Sequence, residues 1–502
     1  MSARICVPIV DDSPETMLAS ASRAAADGAD MVEFRFDALK PLPAPDSAAW
    51  VLERSPLKAV ATCRAREQGG ILDVPRDVRL AVLRRAVRSR AAYVDIEFPD
   101  EPVLAAERSL CRSDSQIIAS FHDWTGVPAD VADIIARMEK GAGDIIKLAV
   151  TPASAETSAR LLRMNAGGCK RRMVIGMGLA GAPTRILGQL YGAEFTFAPL
   201  VKEKASAPGQ VTLGEMLSLF RLHSITQSTR ILGVIGNPLG HSLSPLLHNT
   251  VFGALGMDAV YLPFEVKTDP AAFVREWTDA FPLHGASVTI PHKAAVMAAC
   301  ARVDADARRI GAANTLYPLE DGGFGCANTD APAVADALED VLGKGALKGR
   351  KALVLGAGGA ARGALYGLAA AGCRVAVSNR THERAAVLAR DFGADAVPWE
   401  ERCGVRPEIL VNMTSVGMYP DVDGIPVEPS AITEDMVVFD GVYNPLETRL
   451  LAAARERGAK CVPGTEMFIR QAARQLKLWF GIDEPPVALM RRTMSDALAR
   501  KT

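Results

Sequence analysis

The chain has 502 residues, more than one ordinary hydrophobic core accommodates, so two or three domains are expected. Hydrophobic residues make up 49% and charged residues 23%, and the formal net charge is −1. That profile is globular rather than disordered, and it lacks the basic excess that general nucleic-acid or anionic-membrane binding requires. The nine cysteines fall singly, with no Cys-x-x-Cys pair, which speaks against a zinc site or a disulfide framework and for a reducing, cytoplasmic compartment. No basic leader with a cleavage site precedes the first apolar run, and no run reaches membrane-spanning length.

The first part of the chain alternates β-rich runs with helical stretches rich in Ala, Leu and Arg. The runs lie at residues 5–10, 31–37, 57–64, 93–98, 116–124, 144–150, 172–178 and 194–200. Eight such units within about 220 residues match a parallel (β/α)8 barrel. An open doubly wound sheet shows the same alternation, so the count of eight decides for the barrel. A short polar segment at 223–230 reads as a linker, too short for a long flexible tether. The alternation restarts at 231–236, 260–266, 286–290 and 314–318, and a Gly- and Lys-punctuated stretch at 343–349 marks a second boundary. Residues 351–355, a glycine-rich turn, a helix and 374–378 then form a βαβ unit, and 468–480 reads as a helix. The fold class expected is therefore α/β: an N-terminal (β/α)8 barrel followed by a two-domain α/β unit with a Rossmann-type domain.

Within the first half, Lys147 lies in the run Asp144-Ile-Ile-Lys-Leu-Ala-Val. Burial and neighbouring cations depress a lysine pKa and give the free amine that attacks a ketone, although an isolated lysine in such a run also reads as a snorkelling side chain at a strand edge. His122, in Ser120-Phe-His-Asp, ends the preceding strand run, so the two side chains are expected to be neighbours at the barrel mouth. A histidine moves protons both ways near neutral pH; alone it more often serves as a structural hydrogen-bonding group. Arg35, Arg64 and Arg185 each follow or end a different strand and converge on one pocket, where the guanidinium fork suits a carboxylate. Taken singly, each reads equally well as a surface or salt-bridging residue.

The motifs Glu33-Phe-Arg-Phe-Asp, Val94-Asp-Ile-Glu, Ser120-Phe-His-Asp, Asp144-Ile-Ile-Lys and Ser206-Ala-Pro-Gly-Gln, in this order, resemble type I 3-dehydroquinate dehydratase. The resemblance implies an imine between Lys147 and the substrate ketone, with the iminium as electron sink and His122 as acid/base. It also implies that Arg185, Ser206 and Gln210 hold the substrate carboxylate, with Glu33, Arg35 and Arg64 around the ring hydroxyls. One departure stands out. The family often has an arginine followed four residues later by Glu-Gly-Gly, and that glutamate helps orient the histidine. Here the segment reads Arg64-Ala-Arg-Glu-Gln-Gly-Gly, with Gln68 at the matching position and Glu67 shifted by one, so an amide is expected to hold the histidine and alter its pKa.

In the second half, Leu355-Gly-Ala-Gly-Gly-Ala-Ala-Arg follows a strand and opens a helix, with Gly356, Gly358 and Ala361 at the G-x-G-x-x-G/A positions. Backbone N–H groups there can approach a pyrophosphate at the helix N-terminus. At the end of the next strand, Ser378-Asn-Arg-Thr has an arginine where an NAD enzyme usually has an acidic residue, which favours NADP; the other reading of Arg380 is a surface turn residue. Gly236-Asn-Pro-Leu-Gly-His-Ser-Leu-Ser-Pro, Val288-Thr-Ile-Pro-His-Lys, Asn314-Thr-Leu, Asn328-Thr-Asp, Asn412-Met-Thr-Ser-Val-Gly-Met, Asp440-Gly-Val-Tyr-Asn-Pro and Gly464-Thr-Glu-Met-Phe-Ile-Arg-Gln resemble shikimate dehydrogenase. The resemblance implies that Ser242 and Ser244 bind the substrate carboxylate, with Thr289, Asn314 and Gln471 around the ring. Lys293 and Asp330 become the proton-transfer pair; as isolated residues they read as a salt bridge. Gly356, Ala357, Gly358, Gly359, Ala360, Asn379, Arg380, Thr381, Thr414, Gly464 and Met467 are then the cofactor contacts.

The domains expected are 1–222, a dehydratase barrel; 230–342 with 468–502, a shikimate-binding domain; and 343–467, an NADP-binding domain. NADP(H) is the expected cofactor, and no metal is expected. Partners are small molecules, 3-dehydroquinate and 3-dehydroshikimate or shikimate, without nucleic acid or membrane, and with room for a homo-oligomer. Two alternatives are a quinate-preferring second half and a metabolite sensor that has lost catalysis. The paired Ser242 and Ser244 favour shikimate over the bulkier quinate, and the presence of Lys147, His122, Lys293 and Asp330 speaks against the sensor.

Overall fold

The computed structural model describes residues 3–89, 91–207, 209–280 and 283–500; the others, among them Pro208 of the Ser206 motif and both chain ends, lie outside the described residues. Packing divides the chain into two compact units: Met1–Gly233 with Pro238–Ser242 and Phe252–Leu283, and Val234–Asn237 with Leu243–Val251 and His284–Thr502.

Eight strands build the first unit's main sheet: β1 (Ile5–Ile9), β2 (Met31–Arg35), β3 (Lys58–Thr62), β4 (Tyr93–Glu97), β5 (Gln116–Asp123), β6 (Ile145–Val150), β7 (Arg171–Gly176) and β8 (Thr196–Phe197). Every neighbouring pair is parallel, in the order β7-β6-β5-β4-β3-β2-β1-β8. The two edges approach through one isolated parallel bridge, Arg172 to Ala193, so the barrel is nearly closed. Strand β8 is two residues long where a longer run was expected; Pro199 has no N–H with which to extend the ladder.

The period-two alternation of the strands arranges the interior in layers. The floor is apolar: Cys6, Met31, Val60, Tyr93, Ile118, Ile145, Met173 and Phe195 form one buried cluster. Two residues further along β2 to β8 stand Glu33, Thr62, Asp95, Ser120, Lys147, Ile175 and Phe197, and two further again, on or just past four of them, stand Arg35, Arg64, Glu97 and His122. An oily floor thus carries a polar storey at the carboxyl ends of the strands.

The linker is not a loose tether. Thr229 and Ser228 donate from their hydroxyls to the Asp258 carboxylate at 2.6 and 2.9 Å, and the Gln227 amide donates to Leu190 O at 2.7 Å. Trp277, fully buried against Phe264 and Phe273, donates from Nε1 to Ala155 O of the barrel helix Ala155–Arg163 at 2.9 Å.

The second half has two six-stranded sheets. The first comprises β9 (Arg230–Gly236), β10 (Ala259–Glu265), β11 (Leu283–Val288), β12 (Arg302–Val303), β13 (Thr315–Pro318) and β14 (Phe324–Ala327), in the order β10-β9-β11-β13-β14-β12. Strands β12 and β14 were not expected, being only two and four residues long. The second sheet comprises β15 (Lys351–Leu355), β16 (Arg374–Ser378), β17 (Asp395–Val397), β18 (Ile409–Asn412), β19 (Val437–Asp440) and β20 (Lys460–Val462). It is parallel throughout, in the order β17-β16-β15-β18-β19-β20, the doubly wound 3-2-1-4-5-6 arrangement with its switch point between β15 and β18. The last expected helix begins earlier than its apolar pattern suggested, at Gly464 directly after Pro463.

Helix Gly359–Ala370 lies close against helix Asp330–Leu342, and glycines permit the approach. A Cβ on Gly367 would meet Ala331 O at 2.4 Å, and one on Gly363 would stand 3.5 Å from the Asp330 Cβ. Gly367→Ala is therefore expected to destabilise the second half by about 1–3 kcal/mol. Urea unfolding checks this: the transition of the second half should move to lower urea while that of the barrel stays in place.

Candidate active sites

In the barrel, Lys147 is buried on β6, and Ser120 of β5 is its register partner, so His122 on β5 stands one layer above it. The amine does not lie bare in an apolar run. It donates to Asp95 Oδ2 at 2.9 Å, stands 3.6 Å from Glu33 Oε1, and lies over the Phe197 ring at 4.3 Å from its centroid. Arg64 meets the other Asp95 oxygen at 2.7 Å and also reaches Glu97 at 3.3 Å and the Ser120 hydroxyl at 2.6 Å. Burial alone would raise the Asp95 pKa; Arg64 and Lys147 outweigh it and hold the carboxyl well below the usual range.

Arg35 is matched by a bidentate pair with Asp37, at 3.0 and 2.8 Å, and donates to Gly69 O at 3.0 Å. Arg185 differs. It is 3% exposed, and among the described residues its guanidinium makes no ion pair and no hydrogen bond. Burial pushes its pKa down to about 10, which leaves it charged at neutral pH and short of an anion. Ser206 and Gln210 face the same pocket, joined through Ser206 N–H to Gln210 Oε1 at 2.9 Å.

Gln68 and Glu67 part company in the turn after β3: Glu67 is exposed, whereas Gln68 lines the pocket. Its Oε1 accepts the His122 backbone N–H at 3.2 Å and lies 3.4 Å from His122 Nδ1. Desolvation, together with the Arg64 and Lys147 cations, holds the His122 pKa well below its ordinary value, so the ring is neutral at pH 7 and able to accept a proton. A carbonyl oxygen facing Nδ1 favours the tautomer with its proton there and leaves Nε2 as the base.

One pocket thus brings together Glu33, Arg35, Arg64, His122, Lys147, Arg185, Ser206 and Gln210, every barrel residue expected from the sequence. Reading the sequence missed Asp95, Phe197 and Trp124. Asp95 had a signal: it lies two residues before Glu97, on the inward face of a strand whose Val94-Asp-Ile-Glu motif was already noted.

In the second half, the Lys293 ammonium donates to Asp330 Oδ2. Asn314 Nδ2 donates to Asp330 Oδ1 at 2.8 Å and lies 3.4 Å from Gln471 Oε1. Asp330 is the first residue of helix Asp330–Leu342, where the helix dipole favours a carboxylate. Thr289 follows β11 with a half-buried hydroxyl that has no hydrogen-bond partner among the described residues. Ser242 and Ser244 stand at the entry to helix Ser244–Ala254.

The glycine-rich turn abuts this cluster: a Cβ on Gly359 would lie 3.1 Å from Lys293 Cδ. Gly356 has φ +112°, and a Cβ there would meet Met413 O at 2.8 Å. Gly358 precedes helix Gly359–Ala370 with open space beside it, followed by Ala360 in the first helical turn, and Ala357 completes the turn. This leaves a cradle of backbone N–H groups at the switch point of the sheet. Beyond β16, Asn379 donates to Thr381 O at 2.9 Å, and Arg380 is exposed with no acidic partner among the described residues. These features fit a dinucleotide with an added phosphate. Thr414 follows β18, while Gly464 and Met467 open helix Gly464–Phe480.

The profile of type I 3-dehydroquinase matches residues 5–227, that of the shikimate dehydrogenase substrate binding domain 234–316, that of shikimate/quinate 5-dehydrogenase 338–403, and that of the shikimate 5'-dehydrogenase C-terminal domain 464–494. The chain is 34% identical over 504 residues to a chloroplastic bifunctional 3-dehydroquinate dehydratase/shikimate dehydrogenase of Arabidopsis thaliana, covering 96% of this chain and 82% of that one. It is 40% identical to a shikimate dehydrogenase (NADP(+)) of Methanosarcina mazei over 54% of this chain and 99% of the relative. A crystal structure of a shikimate dehydrogenase in complex with NADP+ superposes with a TM-score of 0.51 at 37% identity, over 55% of this chain and 97% of that one. With the barrel pocket and the Lys293–Asp330 cluster carried on one polypeptide and a relative matched along nearly the whole length, the chain belongs to the bifunctional 3-dehydroquinate dehydratase/shikimate dehydrogenase family.

Proposed function

We propose that the barrel converts 3-dehydroquinate to 3-dehydroshikimate and that the second half reduces this product to shikimate with NADPH. The observation that carries the reading is Lys147 inside a pocket that also holds a neutral His122 and the unpaired Arg185 cation. The domains proposed are 1–222 for the dehydratase, 230–342 with 468–502 for shikimate, and 343–467 for NADP. Among the described residues no helix is long and apolar enough to cross a membrane, and the free cysteines suit a reducing cytoplasm.

In the barrel, Arg185 with Ser206 and Gln210 takes the substrate carboxylate, which pairs the cation that has no partner among the described residues. Lys147 passes a proton to the neutral His122 and adds to the ketone; the imidazolium returns that proton to the carbinolamine hydroxyl, which leaves as water and gives the iminium. His122 removes the proton from the adjacent carbon, and the electron pair flows into the iminium. The same imidazole then returns its proton to the departing hydroxyl, which leaves as water. Hydrolysis of the imine frees the enone and restores the amine.

In the second half, bound NADPH supplies the hydride. Asn314 and Gln471 orient the ring, and Ser242 and Ser244 hold its carboxylate. Lys293 stabilises the alkoxide that forms and protonates it, while Asp330 keeps the ammonium aimed at the carbonyl. Gly359 permits the nucleotide turn to stand directly beside that lysine.

Supplied with 3-dehydroquinate and NADPH, the protein should form shikimate with matching loss of NADPH absorbance. Lys147→Ala should lower dehydration by about 10³-fold and leave reduction of added 3-dehydroshikimate intact; Lys293→Ala should do the reverse and let 3-dehydroshikimate accumulate. If either substitution abolishes both steps or neither, the assignment fails.

Gln68→Glu places a carboxylate against His122, which favours the imidazolium and raises its pKa. A base is lost as pH falls through its pKa, so the acid limb of the dehydratase pH–rate profile should move up by about one unit. An unchanged limb would remove Gln68 from the control of His122.

A further inference from the structure

Asp440 closes β19 and is 0% exposed, yet neither half of the proposed chemistry uses it. Its Oδ1 accepts the Asn412 side-chain N–H at 2.9 Å and the Val442 backbone N–H at 3.0 Å; its Oδ2 accepts the Thr448 hydroxyl at 2.6 Å. No cation pairs with it among the described residues. A buried carboxylate held only by neutral donors is costly, and its retention requires a benefit elsewhere.

The three donors belong to three different segments. Asn412 ends β18, and its Oδ1 accepts both the backbone N–H and the hydroxyl of Thr414, at 3.0 and 2.7 Å. Val442 lies in the turn after β19. Thr448 caps helix Arg449–Glu456, accepting Leu451 N–H at 3.3 Å. The backbones of these turns interlock: a Cβ on Gly441 would stand 2.9 Å from Met413 Sδ, and one on Gly464 would stand 2.8 Å from Asp440 O. Met413 O in turn stands against Gly356 of the glycine-rich turn. All of this lies at the carboxyl ends of β15, β18 and β19, where a doubly wound sheet holds its dinucleotide.

We propose that Asp440 is a positioning residue for the dinucleotide: through Asn412 it fixes Thr414, and through Val442 it fixes the turn that packs on Gly464. The role rests on reading this sheet as the NADP domain. It requires a carboxylate rather than an amide, because all three neighbours donate. An asparagine at this position would either turn its NH2 group towards the Asn412 and Val442 N–H groups, leaving donors face to face, or keep Oδ1 there and force the Thr448 hydroxyl to give up its donation and accept instead. Burial raises the pKa of the group, in keeping with a site that holds its charge by hydrogen bonds alone.

The test uses the full chain and its own barrel as internal control. Asp440→Asn and Asn412→Ala should each weaken NADPH binding about 10-fold or more by fluorescence titration, equivalent to the loss of one or two buried hydrogen bonds. The KM for 3-dehydroshikimate at saturating NADPH, and the dehydratase rate, should stay within about 2-fold. Leu347→Ala, a cavity in the core of the same domain at the amino end of β15 and so away from the network, should lower the unfolding midpoint without changing NADPH affinity by more than about 2-fold. The proposal is overturned if Asp440→Asn and Asn412→Ala bind NADPH as the parent does, or if Leu347→Ala loses affinity equally. Should Asp440→Asn fail to fold, Asn412→Ala against Leu347→Ala decides. A parent protein that does not bind NADPH sinks the domain reading itself, an outcome distinct from intact binding that is indifferent to Asp440.

Discussion

Burying charge is expensive, and the barrel site is organised around how that cost is met. Lys147, Arg35 and Arg64 would each be unfavourable in a low-dielectric interior on their own, and each faces a carboxylate at ion-pair distance: Asp95, Asp37, and Asp95 with Glu97. Arg185 is left out of this matching. The exception gives the pocket its selectivity, since an anionic substrate brings Arg185 the counter-charge that no described residue supplies. Desolvation, with the Arg64 and Lys147 cations acting across the pocket, keeps His122 neutral. Carboxylate recognition and the availability of a neutral general base therefore both follow from burying charge.

The second half solves the equivalent problem with a single ion pair and neutral amides. Lys293 and Asp330 compensate one another, and Asn314 fills the remaining carboxylate oxygen. Positioning comes from close backbone approach: Gly359 beside the lysine, Gly363 and Gly367 beneath the helix that starts at Asp330. Chemistry and cofactor cradle are thereby set by the same helix crossing. The Asp440 network continues this economy at the far side of the switch point, with no cation at all.

Much of this was legible in the sequence because β-strands alternate and barrels place chemistry at strand ends. Counting eight runs yielded the barrel, and the βαβ unit around Gly356 yielded a Rossmann-type domain, whereas strands β17 to β20 and the 3-2-1-4-5-6 order emerge only from the fold. Where the sequence fell short, the reasons are physical. Asp95 was overlooked as the partner of Lys147 because pairing across two strands cannot be read from either one; only the register, with β4 and β6 both flanking β5, brings them together. The carboxylates paired with Lys147 went unforeseen for the same reason. Strand β8 ended early at a proline, and β12 and β14 were too short to show alternation. Asn412 and Asp440 sat inside quoted motifs, yet a buried polar relay has no periodic signature.

The central claim is that the Lys147 amine forms the covalent link to substrate, and trapping the adduct addresses it directly. Protein incubated with 3-dehydroquinate or 3-dehydroshikimate is treated with sodium borohydride, digested, and mapped by mass spectrometry. The expected result is irreversible loss of dehydratase activity, with the mass of the reduced substrate on the peptide containing Lys147 and the second half's residues unlabelled. Label on a different lysine, or none in protein that still dehydrates its substrate, would contradict it.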